Sequence, residues 1–394
     1  MNGAQAYQAA LRALTTQHGD ALALAREAAR ADATLIAAHQ LEAWLLLASR
    51  DLRDFQAARR MSDRLAGKVM SAREALHAEA LVAAGTGDYA AAARLLDRIT
   101  AEHPHDLVAL MMAYVFDYYL GDAAALLTRS SRVLAYWSGS DPAYHAVLSL
   151  HAFALEESGD YAAAESTARR ALELEPLDVR AHHVVTHVLE MQGRAEEGLR
   201  WMGARSALWK GAGAAATHLW WHTALHQLEL GRVRLALEVY DRRLQGRALS
   251  EMIDASALLW RLHLGGHDLG GRFAALAVRW ARFAEDAHCA FNDLHAMMAF
   301  VGARRWDYAE RLLQAQAWRA AAPRGANHEM TKRVGLPASR ALLAYGREDY
   351  AEAEALLRAL PPVAHLIGGS HAQRDVLQLT RAAAALRRTT MKAA

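Results

Sequence analysis

Apolar residues recur along this chain every three to four positions, in blocks broken by a repeated glycine-led punctuation. GDYAAAARLL begins at Gly87, GDAAALLTRS at Gly121, GDYAAAESTA at Gly159, GRAEEGLRWM at Gly193 and GRVRLALEVY at Gly231. GGHDLGGRFA follows at Gly265, GARRWDYAERLL at Gly302 and GREDYAEAEALL at Gly346, and upstream RDFQAARRM puts Phe55 34 residues before Tyr89. From Gly87 to Gly302 the spacings are 34, 38, 34, 38, 34 and 37. A helix–turn–helix unit of about 34 residues has the period of a tetratricopeptide repeat, and the longer units read as loop insertions. The glycine is expected to close the turn after the first helix of each unit. Tyr89 and Tyr161 pack back across the pair, small residues such as Ala90–Ala93 let the helices approach, and Pro104 and Pro176 stop second helices.

One such unit cannot bury its own apolar face, but stacked units can. The pattern therefore predicts an all-α fold: a right-handed α-α superhelix of about nine helical hairpins, forming one domain over residues 1–394. Residues 1–70 read as irregular helices, 71–315 as regular repeats, and 316–394 as a long loop with C-terminal helices that close the groove. Within the last segment, AAPRGANHEMTKRVGLP carries the breakers of a loop of roughly 15 residues or more.

Composition narrows the function classes. Seven prolines and a hydrophobic content of 53% suit a nearly continuous helical core. A net charge of +2, from 45 basic against 43 acidic residues, asks for neither nucleic acid nor an anionic membrane. The single Cys289 excludes an intrachain disulfide and a cysteine-based zinc site. The N-terminus lacks a basic segment followed by an apolar run, and the most apolar stretch, DLVALMMAYVFDYYLG, is short and cut by Asp117. A cytoplasmic location is expected on these grounds.

Stacking places the first helix of each pair on the concave side. With the turn glycine at repeat position 15, the inward positions are about 2, 5, 9 and 12. The Gly193 unit then presents His183, His187 and Glu190 on one stripe. The Gly231 unit presents His218 and Trp221, with His222 beside them, and the Gly302 unit presents Asn292, Asp293 and His295. A lone histidine on an amphipathic helix is usually packed or solvated. Several on shared inward stripes of nearby units point instead to a polar site.

The blocks HHVVTHVLEM, THLWWHTAL, DASALLWRL, FNDLHAMMAFVGA, VGLP and GGSHAQRDVL, in this order, resemble the tetratricopeptide repeat protein 38 family, and the similarity reaches upstream to about residue 70. The resemblance implies a retained polar site. Its motif positions fall here on His183, His187, Glu190, His218, Trp221, His222, Asp254, Ser256, Arg261, Asn292, Asp293, His295, Gly369, Ser370, Gln373, Arg374 and Asp375.

Three uses of such a site are open. In the first, a small molecule or short peptide is held by these polar groups against Trp221, with Arg374 and the backbone of Gly368–Ser370 available to an anion. In the second, His187, His222, Asp293 and His295 run general acid–base chemistry. The imidazoles and carboxylates are also donors of the kind zinc, iron or manganese accept, although no established metal signature is present and no residue is assigned as a ligand. The third is a protein-interaction scaffold holding a peptide in the groove. The apolar ends of the stack can also favour a homodimer.

Overall fold

The computed structural model describes residues 1–65 and 67–393. Among the described residues every regular element is helical, and ten helix–turn–helix pairs follow one another. The first seven pairs are α1 (Gly3–Thr16) with α2 (Ala21–Ala31), α3 (Ile36–Leu47) with α4 (Leu52–Leu65), α5 (Ala72–Gly85) with α6 (Tyr89–Glu102), α7 (Leu107–Leu120) with α8 (Ala123–Leu134), α9 (Tyr144–Glu157) with α10 (Tyr161–Leu174), α11 (Val179–Met191) with α12 (Ala195–Arg205), and α13 (Gly213–Glu229) with α14 (Val233–Arg243). Then come α15 (Leu249–Leu264) with α16 (Arg272–Trp280) and α17 (Ala290–Gly302) with α18 (Trp306–Ala321). A short α19 (Gly325–Met330) leads into α20 (Leu336–Gly346), which pairs with α21 (Tyr350–Arg358), and α22 (His371–Ala393) ends the described chain. This is the all-α helical-repeat class that the glycine period predicts.

The contacts fall into two compact units. The first comprises Met1–Tyr118 and Asp122–His222; the second comprises Tyr119–Gly121 and Thr223–Ala394. The division lies within α13, after His222. In each unit consecutive pairs stack, with first helices against first helices: α3 on α5 and α9 on α11 in the first, α15 on α17 and α17 on α20 in the second.

The turn chemistry explains why the pairs recur. Gly87, Gly159 and Gly193 take left-handed φ values of 84°, 85° and 67°, which a residue without Cβ adopts at no steric cost. In the GD turns Asp88 and Asp160 then accept the backbone N–H of Ala91 and Ala163, capping the second helix. At Gly302 and Gly346 the expectation fails. The left-handed residues there are Arg304 and Glu348, while a Cβ on either glycine would run into Phe273 or Val301. These two glycines serve close helix packing. Tyr89 stacks on Phe116 of the next pair, with ring centroids 5.1 Å apart.

Two segments depart from the sequence reading. Residues 1–65, expected as irregular, form two ordinary pairs; α1 even carries a full capping box, with Asn2 and Gln5 bonding each other's backbone N–H. The segment read as a long loop is instead α19, a π turn at Thr331–Gly335 and the start of α20. Pro337 falls in the first turn of α20, directly after the π turn, where a missing N–H and a bulky ring are tolerated. No described helix is long and apolar enough to cross a membrane. Asp117, which interrupts the most apolar helix, is buried and receives the Arg129 guanidinium at 2.8 Å.

Candidate functional site

In the first unit α9, α11 and the first half of α13 bring four histidines together. His183 and His187 lie one turn apart on α11, and His218 and His222 one turn apart on α13. Ring centroids are 4.6 Å apart for His183–His187, 4.7 Å for His187–His222, 4.9 Å for His183–His218 and 5.0 Å for His183–His222. His187 and His222 are fully buried, while His183, His218 and Glu190 reach the surface in part. Phe153 of α9 stacks on His183 and meets His187 edge-on; Trp221, also fully buried, stacks on His218. Trp221 is therefore a backing wall to His218, itself sealed from solvent.

Two carboxylates orient the deep pair. Nδ1–H of His187 donates to Oε1 of Glu156 at 3.2 Å, and Nδ1–H of His222 donates to Oε2 of Glu190 at 2.7 Å. A carboxylate only accepts, so each bond places a proton on Nδ1 and turns Nε2 toward the cluster. Nε2 of His187 is buried and makes no hydrogen bond. On the open side the Nε2 atoms of His183 and His218 lie 3.1 Å apart, one donating to the other.

The electrostatics separate the imidazoles. Burial holds His183 well below the usual histidine range, with its neighbours His187, His218 and Arg180 adding to the effect. Burial would also push His187 down, but the charge and hydrogen bond of Glu156, with Glu190 and Glu157 behind, carry it up to about 9.

Glu156 is the residue the sequence reading missed. The register that puts Glu190 at position 12 of the Gly193 unit puts Glu156 at position 12, and Phe153 at position 9, of the Gly159 unit. The same count, carried one unit upstream, finds both.

The remaining expected site residues belong to the second unit. Asp254, Asn292, Asp293 and His295 are all buried on α15 and α17. The His295 ring donates to the Phe291 carbonyl at 2.7 Å. Ser256 donates to the Met252 carbonyl at 2.8 Å and accepts the Trp280 indole N–H at 2.9 Å, so its hydroxyl ties α15 to α16. Arg261 bonds the Ala372 carbonyl and pairs with Asp375, tying α15 to α22. Arg374, expected to be available to an anion, donates to the Gly369 carbonyl. The Ser370 N–H, expected to face an anion, donates to Gln373 at 3.1 Å at the start of α22. These polar residues lock a helix start.

Gly369 has φ +80°, and a Cβ there would lie 2.4 Å from the Phe291 ring. Gly369→Ala is expected to destabilise the protein by about 2–3 kcal/mol through backbone strain and overpacking together. Urea unfolding measures this, and a cost near zero would show that the segment relaxes freely.

No protein-family model matches the chain. Among solved structures it is similar to the crystal structure of the APC/C hetero-tetramer Cut9-Hcn1, at 12% identity and a TM-score of 0.38, over 91% of this chain and 72% of that one.

Proposed function

We propose that this chain is a helical-repeat binding protein whose ligand is held at the histidine cluster of the first unit. One observation carries the reading: four imidazoles from two neighbouring inner helices converge, the deep two each fixed by a buttressing carboxylate. Packing alone calls for leucine or methionine at such positions, because buried polar groups stabilise only when satisfied. Polar atoms brought together at this cost, with one side reaching the surface, form the few convergent groups that a binding site needs.

Native mass spectrometry of the protein as isolated tests the proposal. An adduct is expected on the wild type and not on His183→Ala, a half-buried replacement that should cost about 1 kcal/mol or less in stability. An adduct of equal occupancy on both proteins would contradict the assignment.

A second reading has one observation in its favour. A cavity of about 220 Å³ lies between the inner helices α1, α3, α5 and α7, lined among others by Tyr7, Gln40, Arg73, His77 and Asp106. This arrangement suits a short peptide and a scaffold role. Yet the Trp44 indole donates to Nδ1 of His77, whose Nε2–H donates to Asp106 at 3.2 Å, and Gln40 donates to the Glu74 carbonyl at 2.7 Å, so these buried polar groups of its lining already have partners. Peptide binding abolished by Arg73→Ala and untouched by His183→Ala would move the function to this cavity.

A further inference from the structure

We infer that the ligand of the histidine cluster is a divalent transition-metal ion, zinc by preference, held by nitrogens of His183, His187 and His222. The inference rests on the binding proposal above and specifies its ligand.

Two observations carry it. First, one nitrogen from each of these three rings lies within 4.8 Å of the other two. Nitrogens sharing a tetrahedral zinc at about 2.0–2.1 Å stand roughly 3.4 Å apart, so shifts of about an ångström close the set. Second, the outer groups have the form that metal centres use. A ligating imidazole usually donates its other N–H to a carboxylate, which fixes the tautomer and raises the basicity of the ligating nitrogen. Glu156 does this for His187 and Glu190 for His222, so the Nδ1–H of each ring is already held by a carboxylate. Nε2 of His187 is sealed without any other partner.

The donor chemistry favours an ion of intermediate softness. Imidazole suits zinc, copper, iron and nickel, whereas magnesium and calcium prefer oxygen. His218 hydrogen-bonds His183 on the partly exposed side and can act as a fourth ligand or yield that position to a bound molecule. Three protein nitrogens with a fourth position reaching the surface is the pattern of an exchangeable site, not of a closed structural one.

The test uses the full-length chain, stripped with a chelator and reloaded. Zn(II) is titrated by calorimetry and Co(II) by visible absorption, for the wild type, His187→Ala, His222→Ala and His183→Ala, with folding followed by circular dichroism. The wild type is expected to take one equivalent of either metal in the micromolar range or tighter, with Co(II) giving the bands of a four-coordinate nitrogen-rich site. Each variant should bind at least about 100-fold more weakly. His183→Ala, at the partly exposed edge, keeps the test decisive if the buried variants unfold. Metal binding as tight in His183→Ala as in the wild type, or none at micromolar concentration, overturns the inference. If metal fails to bind while an organic adduct is present and lost in His183→Ala, the metal assignment falls and the binding proposal stands. Absence of both metal and adduct ends both.

Discussion

Glu156→Ala is expected to destabilise the protein by about 3–5 kcal/mol, the cost of removing one partner from a buried ionic pair. Both Glu156 and His187 have 0% exposure, and their single hydrogen bond is 3.2 Å long. Alanine leaves the Nδ1–H of His187 facing a cavity with no acceptor, and without its nearest countercharge. Glu156→Gln keeps an acceptor oxygen in place and should cost less, about 1–2 kcal/mol. The double replacement Glu156→Ala with His187→Ala should fall short of the summed single costs by roughly 1–3 kcal/mol, because the second change removes the group the first one orphans. Urea unfolding at neutral pH measures the wild type and the four variants, His187→Ala alone included. A cost below about 1 kcal/mol for Glu156→Ala would mean that water reaches the pair and that the cluster is far looser than its burial implies.

The second large effect concerns Asp293, in the other unit. Burial drives its carboxyl up from the usual range to about 8; Asp286 adds to the rise, while the Gln316 amide and Arg319 pull against it. Below about pH 4 the carboxyl is protonated in both the folded and the unfolded chain, so it imposes no pH dependence there. Between about 4 and 8 the unfolded chain gives up the proton and the folded chain keeps it, so stability falls as pH rises. Above about 8 both forms are ionised and the loss is complete. An elevation of this size amounts to roughly 5 kcal/mol in full, and relaxation around the charge should leave a few of these. Asp293→Asn, equal in size and without a charge to lose, is expected to match the wild type near pH 4 and to exceed it by a few kcal/mol at pH 9. Thermal unfolding across that range gives the difference directly. Parallel pH profiles for the two proteins would show that Asp293 is not sealed.

The fold was legible because its signal is periodic. Glycine turns near every 34 residues, an aspartate cap after several of them and prolines beyond second helices all describe the same hairpin, and the structure places helices accordingly. The segment around Pro337 was not legible, since Gly325, Gly335 and Pro337 are breakers in almost any local context. Only the π turn, a tertiary accommodation, makes them compatible with helix. The candidate site divides the same way. His183, His187, His218, His222 and Glu190 follow from repeat register and stand together. Ser256, Arg261, Gln373 and Arg374 carry equal polarity in the sequence, but bond to backbone carbonyls and helix starts. Polarity at an inward position says that a group must be satisfied; what satisfies it is decided by neighbours far away in the chain.

The carboxylate at position 12 of one unit supports a histidine of the next, and this happens twice in succession, Glu156 to His187 and Glu190 to His222. No single repeat therefore owns the cluster. Chains emerge from the ribosome N-terminus first, at about 5–20 residues per second. The Glu156–His187 pair can form once α11 is out, but His218 and His222 arrive only some 35 residues later, a few seconds on. For that interval the nascent protein presents a half-built imidazole wall. If the cluster binds as proposed, competence to take up a ligand begins abruptly, when α13 docks, and a chain truncated ahead of it is expected to lack binding.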